Sequence, residues 1–149
     1  MIVKIAAILA LALLGACGWV RMAPDDPARW HVDPVTAEGT GKPNEAFVRG
    51  ADAPFFPETP AHLMERFDRM AMAQPRTTRL AGDPAEGFAT YVQRSALWRF
   101  PDYVSVRAVP EEGGSRLNLW SRSRYGYGDL GVNSARVKAW LDALEGQGG

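Results

Sequence analysis

Two alternating runs joined by a proline- and glycine-rich link constrain this chain most. In residues 103–109, Val104, Val106 and Ala108 share one side; in residues 116–123, Leu117, Leu119, Ser121 and Ser123 do the same. A period of two belongs to a half-buried strand, and Pro110, Glu111, Glu112, Gly113 and Gly114 between the runs supply a turn. An antiparallel hairpin is therefore expected. Residues 76–80 and 88–98 read as two further strands, separated by the turn cluster Gly82, Asp83 and Pro84. The simplest sheet is a four-stranded meander with one face toward helices and the other partly exposed.

Two helices supply that covering layer. Thr59 is placed to cap a helix whose first residue is Pro60, where a missing N–H costs nothing. Leu63, Met64, Phe67, Met70 and Ala71 make one apolar stripe, and Pro75 predicts an end near Ala73. In the second helix Asn133 is the expected N-cap and Val132 with Val137 the expected hydrophobic staple; Val137, Trp140, Leu141 and Leu144 form the stripe, and Gly146 ends it. The fold class is α+β: a two-layer domain over residues 59–146, followed by a short tail at 147–149.

Ahead of it, residues 21–58 carry prolines at 24, 27, 34, 43, 54 and 57 without apolar periodicity, so an extended segment is expected. Trp30, Val32, Phe47, Val48, Phe55 and Phe56 give it enough apolar surface to wrap the domain. Residues 1–20 read as an export signal: Lys4, an apolar run, then Leu14, Gly15, Ala16 and Cys17, the pattern of a lipobox with Cys17 as the lipidated residue. The competing reading is an uncleaved anchor, since residues 2–20 approach the ~20 apolar positions of a spanning helix. Both readings expect the domain in the periplasm of a bacterial cell envelope, tethered to the membrane through the N-terminus. Cys17 is the single cysteine, so packing and not disulfides must hold the domain.

The net charge is zero, which argues against nucleic acid as a partner. It is unevenly spread. Residues 17–75 hold six basic and nine acidic side chains, and residues 76–136 hold nine arginines and six acids. Two such halves can be self-complementary.

Chemistry-bearing residues concentrate in residues 118–136. Gly126-Tyr127-Gly128-Asp129-Leu130-Gly131 matches the dinucleotide pattern G-x-G-x-x-G between a strand and a helix. A second parallel strand and an acidic residue ~20 positions on are missing, so no nucleotide cofactor is expected. Alternation puts Asn118, Trp120, Arg122 and Arg124 on the sheet face opposite Leu117 and Leu119, where they form a recognition surface or a face covered by the N-terminal segment. Trp120, Arg122, Arg124, Asp129, Asn133 and Arg136 are the candidate ligand-binding residues. An Asp129–Arg136 pair locking the loop onto the helix is the alternative use of those two charges. His31 and His62 lack metal-site spacing, and Ser121 and Ser123 lack a nucleophile elbow.

Three blocks, S-R-S-R-Y-G-Y-G-D-L-G-V-N-S-A-R at 121–136, P-D-Y-V-S-V at 101–106 and A-R-W-H-V-D-P at 28–34, resemble the bacterial envelope family known as domain of unknown function 1499. The resemblance covers roughly residues 19–145 and implies membership without an activity. The functions left open are a non-enzymatic domain binding a partner or small ligand at the 118–136 corner, an enzyme or carrier for an anionic small molecule or lipid headgroup, and a purely structural role. In the structural case Arg122→Ala and Arg124→Ala are expected to do little.

Overall fold

The computed structural model describes residues 2–147, except the side chains of residues 2, 3, 10, 13, 14 and 17. The lipidation expectation at Cys17 and the end of the tail lie outside what is described. Helix α1 (Ile2–Met22) and the short α2 (Pro27–Trp30) precede strands β1 (Glu45–Val48) and β2 (Phe55–Phe56). Helix α3 (Pro60–Met72), strands β3 (Thr77–Asp83), β4 (Phe88–Arg94), β5 (Pro101–Glu111) and β6 (Gly114–Ser123), and helix α4 (Val132–Glu145) complete the chain. Among the described residues no helix is long and apolar enough to cross a membrane.

The expected meander is present as β3 to β6, all antiparallel, and the β5–β6 hairpin pairs Asp102 with Ser123 through to Glu111 with Gly114. The sheet nevertheless has six strands and not about four. β1 and β2 both pair with the outer edge of β6, interrupted by a 3-10 turn at Gly50–Asp52. At the break, Asn118 Oδ1 accepts the Gly50 N–H at 2.9 Å and the Leu117 N–H reaches Pro54 O at 3.0 Å. The interrupted strand thereby satisfies an edge that would otherwise expose backbone groups.

Helix α3 runs between the expected caps, with Thr59 Oγ accepting from the His62 N–H at 3.3 Å and Ala73 closing the C-terminus. Its stripe packs with α4 onto one face of the sheet, where Phe67, Tyr91 and Trp140 meet with ring centroids 5.7 to 6.2 Å apart. Helix α4 departs from expectation at its start. Gly131 is the N-cap residue, at φ 80°, and Asn133 is the second helical residue, fully buried. Val132 therefore opens the helix instead of preceding it and stays exposed, so no staple forms.

The opposite sheet face is covered by the N-terminal segment. Trp30 stacks on Tyr103 at 3.9 Å, and His31 stacks on Phe88 at 4.0 Å while its Nδ1 meets Thr90 Oγ1 at 2.9 Å. Burial holds the His31 imidazole below its usual range against the opposing charge of Asp33. The uneven charge of the two halves resolves into ion pairs between them: Asp25 with Arg94 at 2.5 Å, Asp33 with Arg107 at 2.8 Å, and Asp68 with Arg79 at 3.2 Å.

Gly114 marks where β2 crosses closest to β6. A methyl group there would overlap Phe56 O and lie 2.7 Å from Phe55 Cζ and 2.9 Å from Pro57 Cα. Gly114→Ala is expected to lower stability by about 3 kcal/mol, as an overpacking change does, in urea unfolding; an unchanged midpoint would show that the β2 edge yields.

Candidate functional site

Strand β6 carries the candidate residues because its alternation sends Leu117, Leu119 and Ser121 under the helices and Asn118, Trp120 and Arg122 to the other side. Trp120 pairs across to β1, stacking on Phe47 at 4.9 Å, and its Nε1 donates to Glu45 Oε2 at 2.9 Å. The Arg122 guanidinium lies 3.8 Å from the centroid of the Trp120 ring, and Arg49 covers Phe47 at 4.1 Å. Two cations and two aromatic rings thus line the β1–β6 pair.

Arg122 is 1 % exposed. Its Nη2 donates to Trp30 O at 2.5 Å; its Nη1 donates to Ser105 Oγ at 3.1 Å and Trp120 O at 3.3 Å. Among the described residues no carboxylate lies within ion-pair distance of it; Glu45, its register partner on β1, acts from farther off. Burial lowers the guanidinium to about 10, opposed by the charge of Glu45, so it remains a cation at neutral pH. Burial would raise the Glu45 carboxyl, but hydrogen bonds from Thr40, Trp120 and Gly41 outweigh it and hold the group below its usual range.

Arg124 is also committed. Its Nη1 donates to Pro24 O at 2.9 Å and Tyr103 Oη at 3.3 Å, with Asp25 at 3.8 Å. Tyr103 Oη donates to Asp25 Oδ1 at 2.6 Å; burial first, then that hydrogen bond, push the phenol well above its usual range. The face is therefore covered by the N-terminal segment, one of the two outcomes the alternation left open.

At the loop–helix corner the expected Asp129–Arg136 pair does not form. Asp129 Oδ1 accepts the Gly131 N–H at 2.9 Å, and Oδ2 accepts the Asn133 N–H and Nδ2, each at 2.7 Å. Asp129, and not Asn133, supplies the cap, because the turn through Leu130 and Gly131 folds its carboxylate back over the first N–H groups of α4. Burial would raise this carboxyl, yet the hydrogen bonds from Asn133 and Gly131 prevail and keep it below the usual range. Arg136 points instead to the start of β5, pairing with Asp102 at 2.6 Å and donating to Gln93 Oε1 at 2.6 Å and Asn133 Oδ1 at 2.7 Å. Asn133 joins the layers: its Oδ1 accepts from Ser121 Oγ at 2.6 Å, and its Nδ2 donates to Asn44 O at 2.9 Å.

The structure thus brings Asp129, Asn133 and Arg136 into one network with Ser121 and Asp102, and places Trp120, Arg122 and Arg124 in a second one across the sheet. Sequence reasoning missed Asn44, Glu45, Asp102 and Tyr103 as members. Only Tyr103 and Asp102 carried a signal, lying in the 101–106 block. The charged groups of both networks are committed, each held by another side chain or by the backbone, while Asn44 Oδ1 and Trp30 Nε1 are buried without a hydrogen-bond partner among the described residues, where no three His, Cys, Asp or Glu converge. What remains open at the corner is apolar, namely Tyr127 (73 % exposed), Leu130, wholly exposed at φ 55°, and Val132.

Two outcomes follow. Asp129→Ala is expected to cost about 1 kcal/mol at pH 7, the usual worth of a helix cap, and the wild-type advantage should fade on acidification. A carboxyl depressed in the folded state stabilises fully above its unfolded value near 4, and that stabilisation is lost as pH falls through the folded value. A pH-independent difference in urea midpoints would refute the cap. Arg122→Ala is expected to cost about 3 kcal/mol, leaving a void beside Trp120 and Trp30 O without its donor; a near-wild-type midpoint would restore the expectation that it does little.

Comparison with curated proteins returns no match. Among solved structures the chain is similar to that described as "Crystal structure of Ara h 8.0201", with 12% identity over 69% of this chain and 94% of that one and a TM-score of 0.35, too slight a likeness to assign a fold. Residues 26–144 match the family described as "Protein of unknown function (DUF1499)". That match spans the covering segment, the sheet and both packed helices, and the chain therefore belongs to the DUF1499 family.

Proposed function

We propose that this chain is a non-enzymatic domain of the bacterial cell envelope, tethered to the membrane through its N-terminal segment and held in the periplasm, which docks a protein partner through the corner at residues 118–136. The observation that carries this reading is Leu130, wholly exposed in a left-handed backbone conformation and clamped on its flanks. Asp129 grips the Gly131 and Asn133 N–H groups, and Asn44 Nδ2 holds Gly126 O at 2.8 Å. An apolar side chain presented on a fixed backbone loses less entropy on association than one on a mobile loop. Tyr127 beside it adds an aromatic group of the kind that dominates interface energetics. The left-handed backbone at Leu130 is a cost to the fold, and an exposed leucine there repays it with no packing inside the domain.

An enzyme or carrier clamping an anionic ligand with Arg122, Arg124 and Arg136 draws less support, because those guanidinium groups are already satisfied by Trp30 O, Pro24 O and Asp102. The polar half of the corner serves the fold, which leaves its apolar rim for recognition.

A photo-crosslinking residue at position 130, in the full chain in cells, tests the reading. A discrete protein adduct is expected there, weakened by Tyr127→Ala and absent from the same probe at exposed Lys138. Leu130→Asp should abolish docking and leave the unfolding midpoint within about 0.5 kcal/mol of wild type, as for an exposed site. No protein adduct from positions 127, 130 or 132 would overturn the proposal.

A further inference from the structure

The β4–β5 connection, residues 95–100, is unlike the other turns of the sheet. Leu97 is 70 % and Trp98 49 % exposed, with Phe100 also on the surface, so three large apolar side chains sit in one short loop outside both cores. The loop is nonetheless closed on itself: the Ser95 N–H donates to Phe100 O and the Phe100 N–H to Ser95 Oγ, each at 3.0 Å, and Arg94 Nη1 donates to Arg99 O at 3.1 Å. Arg21, in the last turn of α1, donates to Leu97 O at 3.0 Å and Trp98 O at 3.4 Å. Arg21, Arg94 and Arg99 border an open depression of about 540 Å³. Asp25 takes part of the Arg94 charge at 2.5 Å, whereas Arg99 is exposed and its guanidinium makes no hydrogen bond or ion pair among the described residues.

We propose that this loop, with Arg21 and Arg99 beside it, rests in the headgroup layer of an anionic phospholipid bilayer. Two observations choose that occupant. Tryptophan and leucine ringed by arginine fit a membrane interface, where an amphipathic ring sits at headgroup depth and a guanidinium meets lipid phosphate. The loop also lies where the domain joins α1, whose Ile5, Ile8, Leu9, Leu11 and Trp19 are exposed. Membrane engagement by the last turns of that helix, or by a lipid near its end, brings the loop to the bilayer surface, because Arg21 in the final turn holds the loop. The register pairs Arg94 with Pro101 and Asp102 with Ser123, so this loop and the start of the corner loop share one end of the sheet, with Phe100 and Tyr125 rings 6.0 Å apart. Resting the loop on lipid orients the domain and holds the corner close to the membrane. The inference rests on the tether of the proposed function and is independent of its docking loop.

The test uses the full-length chain reconstituted into vesicles of phosphatidylglycerol and phosphatidylethanolamine with brominated acyl chains, which quench tryptophan on contact. More of the wild-type emission should be quenched than in Trp98→Phe, the contribution of Trp19 being common to both. That excess should shrink in Arg99→Ala and in vesicles of brominated phosphatidylcholine alone. Near-UV circular dichroism checks that each variant keeps the wild-type fold. Equal quenching of wild type and Trp98→Phe in floated vesicles overturns this surface, including the case in which the loop faces a protein, and leaves the tether standing. A chain that does not float with the vesicles removes the tether and this inference together.

Discussion

The buried guanidinium of Arg122 is the contact on which the second side of this domain depends. Strand alternation turns the residue away from the helices, and the strand lies too far inside the sheet for its head to reach water. Burying an unpaired cation costs several kcal/mol. Here the cost is offset by charge-assisted bonds to Trp30 O and Trp120 O, by Ser105 Oγ, and by the face of Trp120 at 3.8 Å. Trp30 O is supplied by a residue 92 positions earlier, so satisfying Arg122 requires the N-terminal segment to lie across the sheet. That segment is a structural layer and not a spacer.

Once it is in place, other features follow. Trp30 stacks on Tyr103, Tyr103 holds Asp25, and Asp25 collects Arg94 and Arg124. The acidic N-terminal half and the arginine-rich second half neutralise each other across this surface, which removes Arg94, Arg107 and Arg124 from the anion-binding role that the number of arginines suggests. The chain leaves the domain at Arg21 beside the β4–β5 loop, so the junction with α1 and the corner lie at the same end of the sheet. The opposite face repeats the logic with an uncharged amide: Asn133 is buried where β6, α4 and the Asn44 backbone meet, its Oδ1 accepting from Ser121 and its Nδ2 donating to Asn44 O and Ser123 Oγ.

Local signals and distant ones were unequally legible. Helix α3 could be read closely because Thr59, Pro60 and Pro75 act within a turn of themselves. The hairpin and the stripe of α4 could be read because periodicity is a local property. Strands β1 and β2 could not: four and two residues long, they hold no alternation of their own and exist as strands only because the β6 edge presents them with backbone partners. The start of α4 was misread by two residues because Gly131 and Asn133 are both acceptable caps. The choice was made by Asp129, whose carboxylate reaches the N–H groups only once Leu130 and Gly131 turn left-handed.

The sequence by itself determined the α+β class, the two packed helices, the meander, the orientation of Trp120 and Arg122 away from the helices, and family membership. These depend on period, caps and turn residues within a few positions of one another. Tertiary structure alone decided what those side chains face: that Arg136 pairs with Asp102 and not Asp129, that Arg122 is gripped by Trp30 O, and that Leu97, Trp98 and Leu130 stay outside. Each of these joins residues 34 or more apart, or is set by what the rest of the chain leaves uncovered. No local pattern encodes such a partner, because the energy of a charge or an apolar surface depends on what packing brings beside it.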